Sequence, residues 1–107
     1  MAAQRFPRTR AARAVVLIIA EDAMARQVYG ELFALRGWHV KTAAGAREGL
    51  RLARDRRVGV VVLSLPTGAA RLRDKLRALR PLLRVHATGM TPLPFDLMTP
   101  SARQQLH

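Results

Sequence analysis

The chain has 107 residues, half of them apolar, no cysteine, and a formal charge of +12 at neutral pH. These values describe one small globular domain and exclude disulfide scaffolds, zinc–thiolate sites and cysteine nucleophiles. Seventeen of the nineteen basic residues are arginine. So large a charge attracts polyanions without specifying a fold, and arginine-biased codon usage with solvated helix faces is the plainer account of it.

Residues 1–13, with Arg5, Arg8, Arg10 and Arg13, read as a basic, unstructured arm ahead of a domain over 14–107. Together with the apolar run Ala14 to Ala20 they imitate a secretory leader or, being free of acids, an organelle transit peptide. The run sits at the short limit of the usual ~7–15 residues, and two acids follow it directly, which suits a cleavage region poorly. No stretch approaches the ~20 apolar residues that span a bilayer. The expectation is a cytoplasmic chain without a membrane segment.

Val15 to Ile19 is β-branched and apolar on both parities, the pattern of a strand buried on both faces of a parallel sheet. Asp22 can cap the following helix, in which Met24, Val28, Leu32 and Leu35 recur at helical spacing, and Gly37 marks its end. Trp38 to Thr42 is a second strand. Residues 45–55 form a second helix with Ala46, Gly49, Leu50 and Ala53 inward, and Arg47, Arg51 and Arg54 on another stripe. Val58 to Leu65 is the clearest strand, ended by Pro66-Thr67-Gly68. A third helix turns Ala69, Leu72, Leu76 and Leu79 inward, carries Arg73, Arg77 and Arg80 on its flank, and is broken by Pro81. Leu82 to Ala87 is a fourth, more polar strand. From Gly89 to Pro94 no element is legible, and Asp96 or Thr99 could cap a last helix ending near Leu106. Strands alternating with helices imply right-handed βαβ units and a parallel sheet.

At these residues the chain resembles the bacterial response-regulator receiver family. Val16-Leu17-Ile18-Ile19-Ala20-Glu21-Asp22, Arg36-Gly37-Trp38-His39-Val40 and Thr42-Ala43-Ala44-Gly45 follow the family's opening strand, second strand and link. Val60 to Pro66 is similar to the strand that carries the phosphoacceptor, and Leu93-Pro94-Phe95-Asp96-Leu97 to the Lys-Pro-Phe segment before the last helix. The resemblance implies an α/β, flavodoxin-like, doubly wound parallel sheet with helices on both faces. Five residues between Thr88 and Pro94 cannot hold the family's fourth helix and fifth strand, so the expected sheet has four strands in the order 2-1-3-4.

The departures bear on function. The family phosphorylates an aspartate where this chain has Ser64, and a serine hydroxyl is a weak nucleophile without an activating base. Two acids on the first strand normally hold Mg²⁺ with that aspartate; aligned here are Ala20 and Glu21, with Asp22 just after, so the carboxylate set is depleted. Leu93 replaces the family's lysine, and only Thr88 matches its switch hydroxyl. The resemblance therefore implies a degenerate pseudo-receiver with no catalytic residue, metal or cofactor.

For Ser64 the expectation is a buried hydroxyl bonded to backbone. For Glu21 and Asp22 it is a helix cap and a solvated remnant. His39, His86 and His107 have no ligand spacing, and His86 reads as a hydrogen-bonded histidine at the sheet edge. Trp38, Tyr29 and the phenylalanines read as core or partly buried residues. In the receiver fold the second and third helices share a face, which would gather Arg47, Arg51, Arg54, Arg73, Arg77 and Arg80 into one basic surface. The reading that results is a phosphorylation-independent signalling domain, acting by protein contact in or beside a two-component phosphorelay. Its partner is a signalling protein or a second copy joined at the edge strand 83–87, with Val85, Phe95 and Leu97 filling the space of the missing helix. The alternative is a basic accessory protein that binds nucleic acid through its arginine-rich helix faces, although no nucleic-acid motif is present.

Overall fold

The computed structural model describes residues 14–88; the expected arm over 1–13 and everything from Gly89 onward, including Leu93, Phe95, Leu97 and the last helix, lie outside the described residues. Seven elements follow one another: β1 (Val15–Ala20), α1 (Ala23–Leu35), β2 (His39–Ala43), α2 (Ala46–Leu52), β3 (Val58–Ser64), α3 (Ala69–Leu79) and β4 (Arg84–Ala87). The strands form one parallel sheet in the order β2-β1-β3-β4, as expected for the flavodoxin-like fold. No helix among the described residues is long and apolar enough to cross a membrane.

The sheet is built around β1 and β3. Every residue of β1 is buried, and Val60 to Leu63 of β3 are completely so. Alternate side chains enter opposite layers. Val16, Ile18, Val60 and Val62 pack with Phe33 and Trp38 on one face. Leu17, Ile19, Val61 and Leu63 pack with Ala53, Leu72 and Leu76 on the other. Period-2 side chains on two-sided strands produce two cores from one apolar run, which is why both parities had to be hydrophobic. The pairing of β1 with β3 slips by one residue between Val15 and Val16, leaving Gly59 as the extra residue on β3.

Helix α1 starts where Asp22 Oδ2 accepts a hydrogen bond from Ala25 N at 3.0 Å, the expected cap. At its far end Gly37, at φ +93°, donates to Ala34 O, and Trp38 N donates to Phe33 O. This paired closure satisfies the last carbonyls and brings the Trp38 ring edge-on to Phe33, with centroids 5.7 Å apart. The two caps set the rotation of the helix, and here the periodicity misleads. Phe33 is buried, with Ala25 and Tyr29 packed beside it, whereas Met24 is 72% exposed and Leu35 83% exposed. Val28 and Leu32 are also exposed, so the apolar stripe anticipated for the core lies on the neighbouring ridge.

On the opposite face α2 comes very close to the sheet. A Cβ on Gly49 would stand 2.4 Å from Ile19 Cδ1 and 2.9 Å from Ile19 Cγ1, both deeply buried. Helix α3 buries Leu72 and Leu76, while Leu79, expected inward, is exposed. The fourth strand is shorter than its apolar run suggests: Leu83 is buried, but Leu82 is 96% exposed in the turn before it.

Two polar devices tie the lower end of this layer. Arg80 Nη1 donates to the carbonyls of Val58 at 2.6 Å, Asp55 at 3.1 Å and Ala53 at 3.3 Å, so the end of α3 clamps the α2–β3 loop. Asp55 accepts from Lys41 Nζ at 2.6 Å and from Arg57 at 2.9 Å through Nη2. The Arg57 hydrogen bonds and then Lys41 hold the Asp55 carboxyl well below the usual carboxylate range.

Substituting Gly49→Ala should destabilise the fold by about 1–3 kcal/mol in urea unfolding, because overpacking against Ile19 outweighs the ~1 kcal/mol gain in helix propensity. An unchanged or raised midpoint would mean α2 can lift off the sheet freely. Asp55 contributes stability that is complete above about pH 4 and is lost as pH falls through the carboxylate range, since its folded pKa is depressed. Asp55→Asn should therefore cost about 1–2 kcal/mol at pH 7, with the difference from the parent shrinking as the pH is lowered below 4. A difference independent of pH between 7 and 3 would contradict this.

Candidate functional site

Parallel strands of one sheet place their carboxyl ends together, and the connections leaving those ends enclose a crevice. Here Glu21, Asp22, Ser64, Leu65, Pro66 and Thr88 line an open cleft of about 510 Å³ at the ends of β1, β3 and β4. The sheet register makes this meeting necessary: Ala20 pairs with Ser64, and Ala87 with Leu63, so the residues just beyond β1 and β4 flank the end of β3. Residues 20 or more apart in the chain, picked out separately by the resemblance, thus share one cavity.

Each group has a definite state. Glu21 is exposed at the rim. Asp22 is exposed too, and one of its carboxylate oxygens is committed to capping α1. Thr88 is turned onto β3: its backbone N donates to Leu63 O at 2.8 Å, and its Oγ1 donates to the same oxygen at 3.2 Å. Ser64 departs from expectation. It is half-buried, not buried, and no hydrogen bond joins its hydroxyl to backbone among the described residues. The Leu93 position lies outside the described residues.

Two features of this end were not legible in advance. Arg26 Nη1 donates to Ala20 O at 2.7 Å and Glu21 O at 3.1 Å, pinning the β1–α1 turn that carries both acids. Its only sequence signal was a position one helical turn beyond the Asp22 cap. A second, smaller cleft of about 190 Å³ shares Glu21 and Leu65 with the first and is bordered by Thr67, Gly68, Arg71 and Lys75 of the α3 start.

Chemically the site is poor. Mg²⁺ wants several hard oxygen ligands in near-octahedral array. The described residues do not fit it, because the cleft they line offers Glu21, a cap-engaged Asp22 and a serine hydroxyl. No group of three or more histidines, aspartates and glutamates gathers anywhere among the described residues. Among the described residues the cleft lining holds neither histidine nor lysine, and no hydrogen bond joins the Ser64 hydroxyl to the carboxylate of Glu21 or Asp22 to activate it as a nucleophile.

No protein-family model matches the sequence, and no curated protein matches it. Solved structures do. The chain superposes on a CheY-like response regulator receiver domain protein from Methanospirillum hungatei with TM-score 0.66 and 22% identity, over 80% of this chain and 72% of that one. The fold is that of a receiver domain. The chemotaxis protein CheY4 of Vibrio cholerae gives TM-score 0.65 at 23% identity, covering 79% of this chain and 75% of its own. The receiver domain of the hybrid histidine kinase CckA gives 0.63 at 19%, covering 88% of this chain and all of its own. The receiver fold thus accounts for the cleft and its position at the ends of β1 and β3.

The basic residues singled out on the helices divide into two kinds. Arg47, Arg51, Arg54 and Arg77 are exposed on the α2/α3 face, as anticipated. Arg80 is not part of that free surface, because its guanidinium is spent on loop carbonyls. Arg73 is half-buried, with Nε shielded and unbonded and Asp74 Oδ1 3.9 Å away, beyond hydrogen-bonding distance. His86 departs from a further expectation: it lies on β4, but its buried Nε2 has no hydrogen-bond partner among the described residues.

Magnesium titrated to 10-millimolar order should leave the thermal midpoint and the Trp38 fluorescence unchanged, because too few carboxylates converge to offset dehydration of the ion. Saturable stabilisation at sub-millimolar metal, abolished by Glu21→Ala, would show that the site is competent after all.

Proposed function

We propose that this chain is a non-enzymatic signalling domain of the receiver type that works without accepting phosphate, through contact with a protein partner in or beside a two-component phosphorelay. The observation that carries the reading is the chemistry of the cleft: at the end of β3 stands Ser64, which shares the cleft with an exposed Glu21 and a capping Asp22. A receiver in that state has no acyl phosphate to form, and what it offers a partner is a fixed surface. The compartment that accompanies this role is the cytoplasm.

The outer edge of β4 is the contact we favour. Among the described residues β4 pairs with β3 alone. Thr88 N–H points to β3, so alternation along the strand directs the N–H groups of Val85 and Ala87 away from it. Such an edge accepts a further strand, from a signalling partner or from a second copy across a two-fold axis.

Incubation with acetyl phosphate and a divalent metal should leave the intact mass unchanged. An added phosphoryl group that disappears in Ser64→Ala would overturn phosphorylation independence. Val85→Pro removes an outward donor without taking a hydrogen bond from β3, so it should weaken self-association or partner capture several-fold while the circular dichroism stays that of the parent. Unchanged association would place the contact elsewhere on the molecule.

A further inference from the structure

We propose that the face formed by α2 and α3 binds double-stranded nucleic acid through its phosphates, using Arg47, Arg51, Arg54 and Arg77. The proposal does not depend on the signalling reading, since none of these residues lines the cleft beside Ser64.

Tertiary structure brings the two arginine rows together. Leu50 and Ala53 from α2 and Leu72 and Leu76 from α3 enter the same core, so both helices cover one face of the sheet. Arg80, at the end of α3, reaches Ala53 O at 3.3 Å, which sets the carboxyl ends of the two helices side by side. Arg54 follows Ala53, and Arg77 lies one turn before Arg80. The helices run in the same sense, each following a strand of a parallel sheet, so Arg51 and Arg47 continue the first row beside α3. Packed helices lie ~8–10 Å apart, so the rows can meet phosphates on both sides of a groove ~12 Å wide.

The charge on this face is largely uncompensated. Glu48 approaches Arg51 only at 3.7 Å and also accepts from Ala44 N. Asp55 is spent on Lys41 and Arg57. Arg47, Arg54 and Arg77 have no acidic partner among the described residues. Arg71 and Lys75, both exposed, carry the positive surface on toward the start of α3.

Three observations select a duplex. Guanidinium forks suit phosphate oxygens, and the charges are spread over two helices instead of converging on a pocket, which matches a backbone bearing one charge per ~1.7 Å. The rings of Tyr29, Phe33 and Trp38 all belong to the other face of the sheet, so among the described residues this face carries no ring on which unpaired bases could stack. An acidic protein would want an apolar centre to its footprint, whereas the exposed leucines of this layer, Leu79 and Leu82, come at and beyond the carboxyl end of α3, after the last arginine of the rows.

The test uses the full chain and a fluorescent 20-base-pair DNA duplex of arbitrary sequence, followed by anisotropy from about 50 to 200 mM salt. Binding should weaken linearly on a double-logarithmic salt plot and be indifferent to sequence. Arg47→Gln/Arg51→Gln/Arg77→Gln, with an unchanged circular dichroism spectrum, should lower affinity at least about tenfold and reduce the salt slope by about three, one for each cation removed. Arg5→Gln/Arg8→Gln/Arg10→Gln removes the same charge from the arm and should lower affinity less than about threefold on the same scale. No binding at 50 mM salt, or equal losses from the two triple variants, would overturn the proposal. So would polyglutamate of matched charge binding the face as tightly as the duplex, which would assign it to an acidic protein segment.

Discussion

Two neighbouring parallel strands must be buried on both of their faces, and the rest of the molecule follows from that requirement. β1 and β3 present apolar side chains up and down, so a helix layer is needed above and another below. The connections that supply those layers are crossovers, because parallel strands cannot be joined by tight turns. Crossovers leave every strand at the same end, so loops from distant parts of the chain meet at that end of the sheet. The cleft containing Glu21, Ser64 and Thr88 is therefore a consequence of how β1 and β3 are buried. It persists whether or not its residues can do chemistry.

The scaffold of the cleft is held apart from the side chains that line it. Val60 to Leu63 are held by packing on both sides, and Leu63 O is held by both donors of Thr88. Neither arrangement involves the Ser64 side chain. The acids at the end of β1 have been drawn into local structure: Asp22 caps α1, and Arg26 ties the carbonyls of Ala20 and Glu21.

Arginine serves three physical purposes in the described part of the chain. Arg26 and Arg80 act as multidentate donors to backbone carbonyls at the ends of elements and in loops. Arg57 joins Lys41 in neutralising Asp55. Arg47, Arg51, Arg54 and Arg77 remain on the surface. A net charge read from composition cannot distinguish these, since a guanidinium spent on carbonyls counts the same as one facing water. The last group is exposed to solvent and lies on one face.

What the sequence determined by itself was the alternation of strands and helices, the doubly buried character of β1 and β3, the Asp22 cap and the Gly37 stop. These are local: period, β-branching and capping chemistry act over a few residues and leave a direct trace. That Glu21, Asp22 and Ser64 share one cleft was legible only through resemblance, since nothing in the spacing brings Ser64 to Glu21. Tertiary structure decided what depends on rotation and reach. The turn of α1 about its axis was set by Phe33 locking onto Trp38, and it put Met24, Val28, Leu32 and Leu35 outside although their spacing is as regular as that of a core stripe. The targets of Arg80 lie more than 20 residues upstream, in a loop whose carbonyls have no sequence signature. Whether a polar side chain faces a carbonyl, a carboxylate or water is fixed by which segments the packed layers bring within about 3 Å, and a one-dimensional pattern does not carry that distance.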